Sequence, residues 1–565
     1  MEGLVRRPRG ADGDVGRGLE PPGVSARVPS VPPQEPPDQV RTSTRFGPES
    51  PPIEKPLPGT GPPDSTEAKT RRSVHDAAMI RMLTAALLLS VPSFAASGGD
   101  LGKELSAHGG LLWVVPFAGL LLSIALMPLA IPKFWHHHYG KVSAFWAAAF
   151  VVPFSIEHGF GPSAHHVFEV LLHEYVPFVL LLGSLYVISG GVVIEGGFDG
   201  SPKSNATLLA LGTAIASFVG TTGASMLLIR PLLRANRWRT QRSMVVVFFI
   251  FLVSNVGGSL TPLGDPPLFL GYLRGVPFFW TVPHLIGPML LATVILLVVY
   301  FALDSRSFAK EDAASRDSAA TEAGRTPFRI QGGVNLALLG GVVLAVWGGG
   351  ALALEPSWKD RSVVLPGGLE LGVVDVMRDA ALLVLGLLSL KLTSKEIRAR
   401  NDFSWGAIAE VAKLFAGIFI AMIPAMAILA AGKDGALAAV VAAVNDPSHY
   451  FWATGALSSF LDNAPTYVVF FETARATPVA EFLARGVPNV PVSSGIAIPE
   501  SILSAISAGA VFMGANTYIG NGPNFMVKSM AQEHGVKMPS FFGYMAWSIA
   551  ILVPIFILMT FVFFV

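Results

Sequence analysis

The chain has 565 residues, of which 52% are hydrophobic and 14% are charged, and its formal net charge is +1. Soluble domains carry roughly 25% charged residues. The length alone would suit about four soluble domains, but a mean hydropathy of +0.54 indicates a membrane protein instead. The near-zero charge gives no sign of a nucleic-acid partner. The lack of cysteine excludes disulfides, thiolate metal sites and cysteine nucleophiles.

The first 97 residues differ from the rest. Residues 1–78 hold 22 of the 79 charged residues and 15 of the 43 prolines, which predicts a disordered leader. Residues 79–97 combine Arg81, a short apolar stretch and the ending Ser93-Phe94-Ala95, as a secretory signal peptide does. Signal peptides begin at a start methionine, so we expect translation to start at Met79 or Met82 and residues 1–78 to be a misassigned extension. The alternative is a cytosolic tail followed by an additional short helix.

Three apolar segments follow in residues 98–303, the predicted first transmembrane repeat. Their composition favours helices that cross the roughly 30 Å hydrocarbon layer. The connection after the first segment carries lysines and is expected in the cytoplasm, whereas the connection Glu157–Glu174 is expected outside. The predicted spans are Leu111–Ile131, Val142–Ile156 and Val176–Glu195, and the cytoplasmic lysines are Lys133 and Lys141.

The next apolar segment is interrupted at Gly220–Ser225. Its arms, Asn205–Phe218 and Met226–Leu233, each have roughly 10 residues, or about 15 Å of helix, which is half of the hydrocarbon thickness. Basic residues flank both ends, so we predict a re-entrant hairpin that enters and leaves at the cytoplasmic face. Its non-helical tip must be covered by protein or line a wet cavity, because lipid cannot satisfy free backbone groups.

The fourth span of this half is broken. It starts at Met244 and is interrupted at Ser254–Pro267, where glycines and prolines stop the helix. A fifth span, Val282–Leu303, leads into the polar segment 304–330. The basic residues of this segment predict a cytoplasmic linker between two halves.

The same order of features returns in residues 331–565, the predicted second repeat. Charge asymmetry places its hairpin at the outer face, opposite to the first. The predicted fold class is therefore an all-α polytopic membrane protein with an inverted-topology repeat, in which each half has five spans and one re-entrant hairpin and the broken helices meet at the midplane. The segments are spans at Val334–Leu352, Met377–Leu390 and Trp405–Ala430, hairpin arms at Tyr450–Leu461 and Tyr467–Glu472 around Asp462–Thr466, a span at Ile502–Ala515 broken at Asn516–Asn524, and a final span at Phe541–Phe564.

The four interruptions supply polar groups inside the membrane. Half-helix N-termini attract anions, whereas unwound carbonyls and half-helix C-termini attract cations. Hydroxyl, amide and carboxylate oxygens suit a hard cation such as Na⁺. The alternative is that small polar residues only pack helices closely. The candidate cation and proton ligands are Asp265, Asp462, Asn463, Asn255, Thr222 and Asn516, and the candidate supporting residues are Thr221, Ser225, Thr261, Thr466, Thr517 and Asn521.

The two carboxylates decide between mechanisms. A charge near the centre of a membrane is costly, so such residues usually face a cavity and carry function. An acid that loses its water can hold a proton and release it when Na⁺ competes for the same oxygens. The alternative for Asp265 is a cap on the helix that follows it, and the alternative for Asp462 is a cap within its hairpin. Both roles can coexist.

Two stretches resemble a known group. Ser254-Asn-Val-Gly-Gly-Ser-Leu-Thr-Pro-Leu-Gly-Asp-Pro-Pro267 is similar to the broken-helix signature of the ion transporter superfamily, and Ser459-Phe-Leu-Asp-Asn-Ala-Pro-Thr466 is similar to the hairpin tip of its NhaD-type sodium:proton antiporters. That superfamily also includes arsenite-efflux permeases and citrate or dicarboxylate transporters. The resemblance runs from about Leu111 to the C-terminus and is strongest with a branch labelled as citrate transporters or sodium:proton antiporters.

The resemblance implies a homodimer with a scaffold domain and a transport domain in each subunit. The transport domain holds both hairpins and moves like an elevator. Carboxylate transporters carry Ser-Asn-Thr at both hairpin tips, whereas this chain has Thr221-Thr222-Gly223 and Asp462-Asn463-Ala464. An aspartate at a tip would repel an anionic substrate. The second break is also shorter between Asn516 and Gly520 than the first is between Asn255 and Gly264, so the two halves need not bind alike.

These observations predict a secondary active transporter that exchanges Na⁺ for H⁺ across the inner membrane of a bacterium. We expect no cofactor and no transition metal. The first alternative is Na⁺-coupled transport of citrate or a dicarboxylate, which is disfavoured because no lysine or arginine lies in the breaks. The second is efflux of a metalloid such as arsenite. An intramembrane enzyme is not expected, since neither a Gly-x-Ser-x-Gly nor a His-Glu-x-x-His motif occurs. The sequence contains no phosphate-binding loop of the G-x-x-x-x-G-K-[ST] type, so ATP-driven pumping by this chain is not expected.

Overall fold

The structure, a computed structural model, describes residues 98–565 except residues 360, 366, 402, 477–485 and 494–495. The predicted leader (1–78) and the segment with the signal-peptide pattern (79–97) lie outside the described residues. In the described part, helices dominate, and the strands form three two-stranded antiparallel sheets.

The first helices extend beyond the predicted spans. The predicted loop at Lys133 and Lys141 is wrong, since both residues lie in α3, and the predicted outer connection Glu157–Glu174 is mostly helical. Hydropathy marks where lipid contact ends, but the backbone continues its helix into polar surroundings until a breaker intervenes, here Gly159 at φ +89°. The elements are α1 (Gly98–Ala107), a 3₁₀ turn (Gly110–Val114), α2 (Val115–Ala130), α3 (Pro132–His158), α4 (Phe160–Val170), a π turn (Leu171–Tyr175), α5 (Val176–Ser189) and β1 (Val193–Glu195).

The first hairpin, the first broken span and the linker follow. The linker, predicted as a polar loop, contains a helix capped by the Asp312 side chain and ends in a strand that pairs with β1. The elements are α6 (Pro202–Val219), α7 (Thr221–Ala235), α8 (Ser243–Leu252), a 3₁₀ turn (Val256–Gly258), α9 (Pro266–Leu273), α10 (Thr281–Phe308), α11 (Ala313–Arg325) and β2 (Arg329–Gln331).

The second half begins with three helical segments at the positions of the predicted spans, and a short helix and a two-stranded sheet lie between the first and the second. Its third span is bent by 43° where α16 meets α17. Pro424 at the start of α17 accounts for the bend, because proline removes a backbone donor. The elements are α12 (Val334–Leu354), α13 (Pro356–Lys359), β3 (Ser362–Val364), β4 (Glu370–Gly372), α14 (Val373–Leu392), α15 (Lys395–Arg400), α16 (Gly406–Ala421), α17 (Ile423–Ala430), a 3₁₀ turn (Gly432–Asp434) and α18 (Ala438–Ala443).

The second hairpin, the second broken span and the last span complete the chain. A β-hairpin stands between the hairpin and the broken span, with an irregularity between Pro491 and Ser493. The elements are α19 (Pro447–Phe460), α20 (Asn463–Arg475), β5 (Asn489–Ser493), β6 (Ile496–Pro499), α21 (Glu500–Met513), a 3₁₀ turn (Gly514–Asn516), α22 (Gly522–Glu533), α23 (Phe541–Met559) and a π turn (Thr560–Phe564).

The described part of the chain has 6 helices that are long and apolar enough to cross a membrane, or up to 7 if the bent pair counts as one span. Long apolar helices cross a bilayer because they satisfy their own backbone hydrogen bonds. The prediction of an all-α polytopic membrane protein is therefore confirmed. The opposite orientation of the two halves stays a prediction.

The helices form two groups. The first has a main apolar core and a smaller one that includes α1, and the second has a core of its own. The frame consists of α1–α5, α12, α14, α16 and α17, and the inner unit consists of the two hairpins, the two broken spans, α10 and α23. Phe117, Leu181 and Phe415 lie in the frame core, whereas Phe249 and Val511 lie in the inner core. Helices α9 and α20 of the inner unit and α5 of the frame contribute buried side chains to both cores, so these helices lie at the boundary between the two groups.

Candidate functional site

The tip of the first hairpin is tighter than predicted. Only Gly220 is non-helical between α6 and α7, with φ at +81°, a conformation that glycine adopts without steric cost. The predicted break Gly220–Ser225 is therefore wrong in extent, because Thr221 already starts α7. The backbone N–H of Thr221 donates to the carbonyl of Gly264 at 2.7 Å. The tip of the first hairpin is thus bound to the first broken span.

The tip of the second hairpin is capped by its own aspartate. The predicted break Asp462–Thr466 shrinks to Leu461 and Asp462, since α20 begins at Asn463. The Asp462 carboxylate accepts from the N–H of Ala464 at 3.0 Å, and the Thr466 hydroxyl donates to the Asp462 carbonyl at 2.9 Å. Asp462 therefore has the role of a helix cap, which was the alternative to ion binding for this residue.

A serine near each tip joins its hairpin to a broken span in the same way. The hydroxyl of Ser217 donates to the Gly257 carbonyl at 2.5 Å, and that of Ser459 donates to the Met513 carbonyl at 3.2 Å. The candidate Thr261 donates to the Ser217 carbonyl, and Thr517 donates to the Ser459 carbonyl. Sequence reasoning missed Ser217, although Ser217-Phe-Val and Ser459-Phe-Leu are a recognisable repeat.

The two breaks have matching lengths once these contacts align them. Thr261-Pro-Leu-Gly-Asp265 corresponds to Thr517-Tyr-Ile-Gly-Asn521. The expectation of a shorter second break is therefore wrong, because it matched Asn255 with Asn516 by residue type alone. In both breaks the chain crosses itself at a glycine pair, where a Cβ atom on the later glycine would overlap the carbonyl oxygen of the earlier one. The pairs are Gly258 with Gly264 and Gly514 with Gly520.

Asp265 is the point at which all four interrupted elements meet. The residue is 1% exposed, and its carboxylate accepts three hydrogen bonds. The donors are the hydroxyl of Thr221 at 2.8 Å, the amide of Asn463 at 2.5 Å and the amide of Asn521 at 3.0 Å. Asp265 precedes α9, but its side chain makes no capping hydrogen bond there. The capping alternative is wrong for Asp265.

An amide cluster links the two broken spans beside this carboxylate. The Asn255 amide donates to Asn524 at 2.7 Å, and the Asn521 amide donates to Asn255 at 3.2 Å. Asn524 in turn donates to the carbonyls of Gly514 and Thr517, both at 2.9 Å. Buried amides that are hydrogen-bonded to one another fix the geometry of their surroundings, so the two breaks hold one another in place.

The remaining candidates lie in the same four interrupted elements and, in the described part of the chain, form no hydrogen bond with the Asp265 carboxylate. Thr222 is half-buried in the first turn of α7. Ser225 shares a hydrogen bond with Ser254 at 2.9 Å, and Asn516 donates to Ser459 at 2.9 Å. The structure thus brings one predicted ligand, Asn463, and two predicted supporting residues, Thr221 and Asn521, into hydrogen bonds with Asp265. The roles of the other candidates stay predictions.

Two amide oxygens near the breaks are buried without a hydrogen-bond partner among the described residues. They are Oδ1 of Asn463 and Oδ1 of Asn516. A buried, unpaired acceptor is costly, and an amide oxygen is a good ligand for a hard cation. The groups that donate to Asp265 are neutral, so the site combines one buried carboxylate with neutral oxygens and nitrogens.

No curated protein matches the chain. A family model described as "Putative citrate transport" matches residues 106–564, which include both hairpins and both broken spans. The match agrees with the citrate transporter side of the resemblance and leaves the NhaD-type side a prediction. Together with the long apolar helices, it indicates a multi-pass secondary transporter. The chain belongs to the family described as "Putative citrate transport".

Proposed function

We propose that the protein exchanges Na⁺ for H⁺ as a secondary active transporter, with Asp265 binding the proton and the cation in turn. The observation that supports this most is the convergence of both hairpins and both broken spans on one buried carboxylate. A carboxylate that contacts all four interrupted elements can couple the binding of a proton or cation to the movement of those elements. Elevator-like alternating access, a homodimer and the inner membrane of a bacterium belong to the same proposal.

The arrangement suits the ionised form of Asp265. Three donors point at its two oxygens, so no oxygen lacks a partner. Hydrogen bonds to a charged acceptor are roughly twice as strong as neutral ones, and they offset part of the cost of burying the charge. In this form the carboxylate is ready to receive a cation.

The protonated form can be accommodated by a small rearrangement. An acid O–H facing the Asn463 Nδ2–H₂ group would place two donors against each other. A half-turn of the Asn463 amide instead presents Oδ1, which has no partner among the described residues, as an acceptor for that O–H. The same asparagine can therefore serve both protonation states, donating to the carboxylate and accepting from the acid.

Neutral oxygens in the interrupted segments are further candidate ligands for Na⁺. Oδ1 of Asn463 and Oδ1 of Asn516 are the buried acceptors that need a partner, and the Thr221 hydroxyl already contacts the carboxylate. Asp462 adds a second negative charge at the tip of its hairpin while capping α20. A cation bound here would replace the proton, because the two compete for the same carboxylate oxygen.

Purified protein in liposomes that contain a pH-sensitive dye tests the exchange. With the protein in both orientations and no membrane potential, an inward Na⁺ gradient should drive protons out and raise lumenal pH. Liposomes with Asp265→Asn protein are the matched control and should show only the leak. An unchanged lumenal pH with the parent protein, under gradients of Na⁺ and of Li⁺, would refute cation–proton exchange.

The second candidate function is Na⁺-coupled transport of citrate or a dicarboxylate. The family match favours it. The donors on Asp265 offer no positive charge to an anion, and the carboxylates of Asp265 and Asp462 would repel one. Labelled citrate decides between the candidates: accumulation under a Na⁺ gradient, without a dye response, would support citrate transport and contradict exchange.

A further inference from the structure

One arginine at the end of α9 binds carboxylates from two other parts of the structure. Nη2 of Arg274 lies 2.6 Å from the Glu174 carboxylate, and its Nε lies 3.4 Å from the Glu472 carboxylate. The Arg274, Glu174 and Glu472 side chains are 10%, 23% and 8% exposed. Ion pairs shielded from water in this way are stronger than those at an open surface.

Arg274 and Glu472 join the far ends of the two half-helices that begin at the candidate site. Arg274 follows Asp265 by the same number of residues as Glu472 follows Asn463. Helices α9 and α20 are thus connected at their beginnings by the Asp265–Asn463 hydrogen bond and at their ends by the Arg274–Glu472 pair. They also touch midway, where a Cβ atom at Gly271 would overlap the Tyr467 hydroxyl. The two half-helices form one body.

Glu174 belongs to the frame. It lies in the π turn before α5, and the hydroxyl of its neighbour Tyr175 donates to the Ala412 carbonyl of α16 at 3.0 Å. The Glu174–Arg274 pair therefore crosses the boundary between the frame and the inner unit. Tyr272, at the same end of α9, also crosses it, with its hydroxyl donating to the Val346 carbonyl of α12 at 3.0 Å.

We propose that Glu174 and Arg274 form a latch that holds the inner unit against the frame in the arrangement seen here and that opens when the inner unit moves. Its role in transport rests on the function proposed above. It acts directly on the site, because Arg274 ends the half-helix that Asp265 begins.

The surroundings of Arg274 allow the latch to open without leaving a buried charge unpaired. When Glu174 withdraws, the guanidinium keeps its second partner, Glu472, which is also held by Arg475 at 2.9 Å. Glu174 is the most exposed of the three side chains of this group, so it can be hydrated. Removing a partner from a fully buried pair is expensive, and this shared arrangement avoids that cost.

The test uses a reporter cysteine, which is unambiguous because the chain has no cysteine of its own. Ile519 lies in the second break and packs, partly buried, against the frame core. In full-length Ile519→Cys protein in detergent, the rate of labelling by a charged methanethiosulfonate reports how often frame and inner unit separate. Adding Glu174→Gln should accelerate labelling by about five- to tenfold, the shift expected from losing one charged interaction in a two-state equilibrium.

Glu157→Gln is the matched control, since it removes the same charge from an exposed position and should leave the rate unchanged. Equal labelling of the Glu174→Gln and parent proteins would overturn the latch. If Glu174→Gln protein does not elute as a single folded species, Glu174→Asp replaces it, because this variant keeps the charge and lengthens the distance to the Arg274 guanidinium. Glu174→Asp should accelerate labelling less than fivefold, and no acceleration would again overturn the latch. Labelling needs no ion gradient and is therefore independent of exchange. If Glu174→Gln accelerates labelling but the parent protein shows no exchange in liposomes, the proposed function is refuted and the latch is still supported.

Discussion

Replacing Asp265 by asparagine removes one negative charge but keeps the size of the side chain and most of its hydrogen bonds. The remaining oxygen can still accept from Thr221 and Asn521, which both bind Oδ1 in the structure. The new Nδ2–H₂ group faces Asn463, whose amide turns so that its unpaired Oδ1 accepts. Three charge-assisted bonds thus become neutral ones, at a cost of about 1–3 kcal/mol in total.

The expected result is a folded protein without exchange. An asparagine cannot bind and release the proton, so the dye signal should fall to the leak of empty liposomes. The apparent Tm, measured by thermal shift of the purified protein, should drop by only a few degrees. Asp265→Ala should behave differently, because it leaves three buried donors without an acceptor at about 1–3 kcal/mol each. That variant is expected to be strongly destabilised or unfolded.

Two results would refute this reasoning. Exchange by Asp265→Asn protein at a rate comparable to the parent would show that the transported proton is not carried by Asp265. An Asp265→Ala protein as stable as Asp265→Asn would show that the three donors are not held by the carboxylate. The second result would contradict the geometry of the site even if exchange were lost in both variants.

Three further substitutions test other parts of the structure. Asp462→Asn keeps a capping oxygen, because asparagine caps as well as aspartate, so we expect a folded protein. Loss of the Asp462 charge should raise the KM for Na⁺ in the liposome assay roughly tenfold, which corresponds to about 1.4 kcal/mol. Gly264→Ala places a Cβ atom on the Gly258 carbonyl oxygen, so thermal shift should show a large loss of stability, and exchange should vanish. Asp304→Asn weakens a pair with Arg239 in which both side chains are 0% exposed. Because Glu311 stays 4.0 Å from the guanidinium, we expect a loss of about 1–3 kcal/mol and a correspondingly lower Tm.

Matched controls separate these effects from general damage. Gly340→Ala lies in α12 with open space around the new Cβ atom, so it should leave stability unchanged or slightly raised. Glu322→Gln removes an exposed partner of Arg237, and an exposed ion pair contributes little. An unchanged KM for Na⁺ in Asp462→Asn protein would leave that residue with the capping role alone. Wild-type stability of Gly264→Ala or Asp304→Asn protein would contradict the packing described for each.

Local patterns were enough to predict the fold class, an all-α polytopic membrane protein. Long apolar runs, and the glycines and prolines that interrupt them, are properties of a few adjacent residues, so the spans, the interruption at Gly220 and the break around Asp265 could be located from the sequence. Helix ends were less predictable. The sequence suggested a loop at Lys133, yet α3 runs through it, because a helix ends where its backbone hydrogen bonds are interrupted rather than where hydrophobicity fades.

The sequence alone determined that Asp265 and Asp462 are acids within interrupted membrane segments, and that each precedes a helix it can cap. Only the tertiary structure decided which one caps and which one forms the centre of the site. Asp462 finds its partner two residues along the chain, at Ala464, whereas Asp265 binds Asn463 and Asn521, which are 198 and 256 residues away. Local geometry offers a cap to both residues, but competing donors from distant segments appear only when the hairpins and broken spans pack together, and their positions depend on the fold of the whole inner unit.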